Sequence, residues 1–73
     1  MNSYTNIEAE RLLKAVDVAR ILNISRSLAY RLIQKSEIPF VRIGKACRVR
    51  PQDLDTYIER NLHSQAENLD LHQ

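Results

Sequence analysis

Seventy-three residues, 44% hydrophobic and 27% charged, make one small globular domain of ordinary soluble composition. A domain of this size buries only about 60% of its unfolded surface, which argues against a large enclosed substrate pocket. The formal net charge of +2 hides a basic middle: Arg20, Arg26, Arg31, Lys35, Arg42, Lys45, Arg48 and Arg50 stand against Glu37 alone, between net acidic ends. That distribution suits a polyanion on one face better than a uniformly solubilised surface.

Residues 1–11 carry little pattern and read as an N-terminal extension. Ile7 to Leu13 fits either a helical extension or a short strand, with Leu12 and Leu13 packing on the core. The first firm helix is expected over Ala15–Leu22. Ala15, Val18, Ala19 and Leu22 share one face with Ile21 at its edge, and Arg20 points the other way. Asp17 sits in the first turn, where a negative charge suits the helix dipole. Asn23 tolerates the left-handed conformation of a helix end. Ile24 can plug the corner that follows, and Ser25 is a good cap for the next helix. A helix, a three-residue break and a second helix make the helix-turn-helix pattern.

The second helix divides into two faces at about 100° per residue. Arg26, Ser27, Tyr30, Arg31, Gln34 and Lys35 fill one half-turn. Leu28, Ala29, Leu32, Ile33 and Ser36 fill the other. The polar half holds side chains suited to phosphates and base edges; for a helix taken alone, a solvated face is the simpler explanation, and the flanking sequence reverses that preference. The helix is expected to end near Ser36 or Glu37, because Pro39 turns Ile38 extended.

From Phe40 to Arg50 the period changes to two around a glycine, which predicts a β-hairpin. If both apolar sets face one side, Ile43 opposes Cys47 and Val41 opposes Val49. Gly44-Lys45-Ala46 is then a three-residue loop, and Arg42 stands directly across from Arg48. Like charges in that position repel. A polyanion would relieve the repulsion, or the two side chains splay into water. Pro51 suits the first position of a third helix, with Gln52 and Asp53 in its first turn. Leu54, Tyr57, Ile58 and Leu62 form its packing stripe, while Asp55, Glu59 and Arg60 face out. Residues 63–73 hold only Ala66, Leu69 and Leu71 as apolar residues and read as a frayed or disordered tail.

Nothing in this pattern suggests catalysis. His63 and His72 lack a cysteine partner at zinc-ligand spacing, so no metal site is expected. No Gly-rich phosphate loop or nucleophile motif occurs, and no cofactor is implied. Cys47, the only cysteine, reads as a small core residue on the inner side of a strand. It cannot form an internal disulfide, and no apolar run reaches signal-peptide or membrane-span length, so a cytoplasmic protein without membrane contact is expected.

Helix-turn-helix, short basic hairpin and closing helix follow in the order of a winged helix-turn-helix, a mostly α fold with a small β-hairpin. At this point the chain resembles a family. Leu13-Lys14-Ala15-Val16-Asp17-Val18-Ala19, Asn23-Ile24-Ser25-Arg26-Ser27, Tyr30-Arg31-Leu32-Ile33, Glu37-Ile38-Pro39, Val41-Arg42-Ile43-Gly44 and Arg48-Val49-Arg50-Pro51-Gln52-Asp53-Leu54 are similar to the excisionase-family DNA-binding domains. Those are small winged helices related to the DNA-binding domains of mercury-resistance regulators. The resemblance runs over residues 12–62. It implies that Arg26, Ser27, Tyr30 and Arg31 face the major groove and that Arg42, Lys45 and Arg48 form a basic wing. The chain departs from the family in four places. Asn23 and Ser36 stand where glycine is frequent, Cys47 where a bulkier residue is frequent, and Lys14 where a threonine cap is usual.

Chemistry assigns roles to these positions. Arg26 and Arg31 can bond bidentately to guanine or phosphate, and Gln34 to adenine. Ser25 and Ser27 suit a phosphate at the helix start. Tyr30 reaches a phosphate or a thymine methyl, or serves as a half-buried spacer. Arg42, Lys45 and Arg48 hold the backbone without reading sequence. Lys35 is peripheral, and Arg20 is placed to touch a phosphate from the first helix. The resemblance implies a nucleoid-associated, non-enzymatic partner of double-stranded DNA. As an excisionase, or recombination directionality factor, it would bend DNA near attachment sites and steer an integrase, with cooperative self-association on the DNA; a chain too short for a second effector domain fits that role. A small transcriptional regulator using the same surface, or a protein-interaction module without DNA binding, are the alternatives.

Overall fold

The computed structural model describes residues 11–64. The expectations for the rest of the N-terminal extension and of the tail, including His72, lie outside the described residues. In chain order the elements are α1 (Ala15–Leu22), α2 (Arg26–Gln34), β1 (Val41–Ile43), β2 (Ala46–Arg48) and α3 (Pro51–Arg60). Three helices and one antiparallel hairpin make a winged helix-turn-helix.

Local chemistry sets the helix ends. Lysine at the start of α1 carries no acceptor and cannot cap. Asp17 compensates from one turn on, its Oδ2 accepting the Lys14 backbone N–H at 2.9 Å. At the other end Asn23 adopts φ 59°, ψ 48°. Its N–H donates to the Arg20 carbonyl and that of Ile24 to the Ala19 carbonyl, which is a Schellman closure. The hydroxyl of Ser25 accepts the Leu28 N–H at 3.1 Å. The second helix stops slightly earlier than expected, at Gln34, because Ser36 turns left-handed at φ 61°. The Ser36 and Glu37 amides then donate to the Ile33 and Leu32 carbonyls, both at 2.9 Å, in a second closure of the same kind. Pro51 opens α3, where its missing N–H costs nothing.

The core is aliphatic. Ala15, Val18, Ala19, Ala29, Ile33, Ile38, Val49 and Leu54 are buried, with Leu13, Leu22, Leu32, Phe40 and Tyr57 packed against them. Val18, Ile38 and Val49 are the largest side chains wholly out of solvent, each contributing about 1.5–3 kcal/mol of burial. Ile38 lies where the chain leaves α2 for the hairpin, so it ties the two together. Beyond Leu54 the stripe of α3 is weaker than expected. Ile58 is 40% and Leu62 66% exposed, since the helix ends at Arg60 before Leu62 can turn inward.

The hairpin register differs from the expectation by one residue. Val41 pairs with Arg48, Arg42 with Cys47, and Ile43 with Ala46. The loop is the two residues Gly44-Lys45, not three. Gly44 has φ +63° while Lys45 is not left-handed, and a two-residue hairpin turn with glycine first is among the favoured connections. Val49 has no need to oppose Val41, because it leaves the ribbon to bridge Leu13, with both N–H···O bonds at 2.8 Å. That bridge also settles Leu13 as extended chain. The one-residue difference exchanges faces. Arg42 does not face Arg48: it shares a side with Cys47, and Arg48 shares the other with Val41.

Candidate nucleic-acid interface

The outward half of α2 forms the centre of the candidate surface. Ala29 and Ile33 are buried and hold the helix against α1, while Leu28 and Leu32 are half-buried. Arg26, Ser27, Tyr30, Arg31, Gln34 and Lys35 are all exposed. Tyr30 is 53% exposed, which fits either a ligand contact or a half-buried spacer. None of these six side chains makes a hydrogen bond or ion pair to a described residue. Their donors are therefore available to a ligand. Ser25 is only half available: its oxygen holds the Leu28 amide, and its O–H can still donate.

Other cations of the basic middle are engaged internally. The Arg50 guanidinium meets Asp53 through two bonds, Nε to Oδ2 at 2.6 Å and Nη2 to Oδ1 at 3.0 Å. The hydrogen bond, and then the attraction between the charges, hold the Arg50 guanidinium above its ordinary value. The hydrogen bond from Arg50 likewise lowers the Asp53 carboxyl, against an opposing effect of burial and with the attraction of the Arg50 charge. The Arg20 guanidinium stands 3.6 Å from Asp17, and with Arg26 it borders a shallow hollow at the corner between α1 and α2. Arg20 and Arg50 thus have carboxylate partners within the fold, and among the described residues the α2 cations have none.

The hairpin meets the outward face of α2 along one cleft of about 410 Å³. Tyr30 and Gln34 border it from the helix, and Lys45, Cys47 and Arg48 from the wing. Arg48 is half-buried and donates from Nη1 to the Cys47 carbonyl at 2.9 Å. Cys47 is only partly a core residue: it packs against the core and also lines this cleft. Arg42 is not in the cleft. It is exposed, with its guanidinium carbon 5.7 Å from the centroid of the Phe40 ring, within cation–π range.

The cleft holds one cation that sequence reasoning passed over, Lys14. No local pattern marks it. It reaches the wing because the Leu13–Val49 bridge lays the start of α1 beside the end of β2. His63 is exposed, and no group of three or more His, Cys, Asp or Glu residues clusters at metal-binding distance among the described residues. No helix among them is long and apolar enough to cross a membrane.

A family profile described as a helix-turn-helix domain matches residues 12–62. The chain belongs to that family. The match covers the whole excisionase-type pattern, from the residue before the Leu13 bridge to the end of α3, including the wing. Among curated proteins, relatives from Mycobacterium tuberculosis carry the names "Putative DNA-binding protein MT0521" (strain CDC 1551 / Oshkosh) and "Putative DNA-binding protein Rv0500A" (strain ATCC 25618 / H37Rv). Each is 33% identical over 49 residues, which is 67% of this chain and 63% of the relative. The match therefore spans somewhat less than two thirds of those proteins. No solved structure matches the chain.

Proposed function

We propose that this helix-turn-helix protein binds double-stranded DNA with sequence preference, laying the outward face of α2 in the major groove and the wing on the adjacent backbone. The observation that carries this reading is the exposed set Arg26, Ser27, Tyr30, Arg31 and Gln34 on one face, with no internal partner among the described residues. Arg26, Arg31 and Gln34 read base edges. Ser25, Ser27, Lys45 and Arg48 hold phosphates. Arg42, on the other side of the ribbon, holds backbone at the outer edge of the wing. The names of the mycobacterial relatives agree with this reading.

The excisionase-type family suggests the biological role. In this proposal the protein binds beside an attachment site, associates with further copies on the DNA, bends it, and biases a partner integrase towards excision without cutting DNA itself. It works in the cytoplasm on nucleoid DNA.

Fluorescence anisotropy with a duplex selected from a random pool tests the binding mode. Arg26→Ala and Arg31→Ala each cost about 1–3 kcal/mol on the selected site and relax specificity. Arg48→Ala weakens all duplexes alike and lowers the salt slope by about 1. Affinity unchanged by all three refutes the assignment. The layout of selected sites tests the role: tandem sites beside an attachment site support excision, and palindromic promoter sites point to a regulator.

A further inference from the structure

We propose that the cleft between the start of α1, the outward side of α2 and the wing seats one sugar–phosphate strand of duplex DNA, with Lys14 as a backbone contact. This rests on the DNA-binding reading and adds a site to it. The cleft is amphipathic. Among the described residues three cations border it, Lys14, Lys45 and Arg48, and no carboxylate does. Its remaining wall includes Ala15, Val16 and Ala46. A nucleic-acid strand has the complementary character, since anionic phosphates alternate with deoxyribose carbons along it.

The circumstances of Lys14 support its role. Its side chain does nothing for α1, because a lysine cannot accept a capping bond. The nearby carboxylate is already engaged: Asp17 takes the Lys14 backbone N–H on Oδ2 and stands 3.6 Å from Arg20 through Oδ1. Lys14 is exposed and forms no ion pair with any described residue. Its ammonium is thus a charge without a partner among the described residues, beside two wing cations. A strand passing there touches the recognition helix and the wing at once, which fixes their common register on the duplex.

Cys47 provides a probe, because it is the only cysteine and it lines the cleft. The 73-residue chain is treated with iodoacetamide, free and saturated with the selected duplex, and alkylation is followed by mass spectrometry. Thiol reactivity follows access, so bound duplex slows alkylation by about tenfold, and inorganic phosphate at the same anion concentration does not. In parallel, Lys14→Ala and Lys14→Gln lower the slope of log affinity against log salt by about 0.9 and weaken all duplexes several-fold, with unchanged circular dichroism. Duplex bound by anisotropy while Cys47 reacts at its free rate overturns the proposal, as does an unchanged salt slope. Protection by inorganic phosphate alone replaces the strand with a small-anion site and also overturns it. A chain that binds no duplex at all fails at the underlying reading, a result that anisotropy separates from the others.

Discussion

The joint between α2 and the hairpin depends on Ile38, and replacing it by alanine should cost a large share of the fold's stability. Ile38 is wholly buried, directly after the Schellman closure of α2 and before Pro39. The substitution removes three carbons, a transfer loss of about 2.4 kcal/mol at about 0.8 kcal/mol each. A residual void of about 40 Å³ adds about 1 kcal/mol. The sum, about 3 kcal/mol, compares with a total of roughly 4–11 kcal/mol for 73 residues. Urea unfolding followed by far-ultraviolet circular dichroism measures it. Ile38→Val, which removes one carbon, should cost only about 0.5–1.5 kcal/mol and leave DNA affinity unchanged, since the binding groups stay in place. An alanine variant losing less than about 1 kcal/mol would refute the reasoning, because a side chain so enclosed cannot be deleted that cheaply.

Three further outcomes follow from the same structure. Gly44→Ala meets no neighbouring atom within 4 Å but must hold φ +63°, so it should destabilise by about 1–2 kcal/mol through backbone strain alone. Equilibrium unfolding checks this, and an unchanged midpoint would contradict the two-residue turn. Ser25→Ala removes the acceptor for the Leu28 amide and should cost about 1 kcal/mol, measured in the same way. Asp53 is held below its ordinary range by the hydrogen bond from Arg50. Its contribution is therefore complete above the ordinary aspartate value and is lost as pH falls through the lowered folded value. Acid unfolding of Asp53→Asn should show a shallower pH dependence in that window, and identical acid profiles would show that the pair contributes nothing.

Much of the fold was legible because its signals are local. The 3.6-residue period of α1 and α2, the left-handed tolerance of Asn23, the cap at Ser25 and Pro51 at the start of α3 each act within one turn of the chain. The outward face of α2 was legible for the same reason, since helical geometry alone separates Arg26, Tyr30 and Arg31 from Ala29 and Ile33. The ribbon was not. Its strands are three residues long and both alternate, so two registers satisfy the same pattern. The choice is made by the turn at Gly44 and by Leu13, which takes Val49 as its partner from far along the chain. Lys14 was invisible as a site residue because only that distant bridge puts it beside the wing. The Arg50–Asp53 pair had a local signal, charges three residues apart at a helix start, and it removes Arg50 from the cations available to a ligand.

In the proposed binding mode the outward face of α2 and the edge of the wing together receive duplex DNA. Nuclear magnetic resonance of the backbone amides during titration with a selected duplex tests it most directly. The largest shifts should fall on Arg26, Ser27, Tyr30, Arg31, Gln34 and Lys45 to Arg48, while Asp55 and Glu59 on the outer side of α3 stay in place. Shifts concentrated on α3 with a silent α2 face would contradict it.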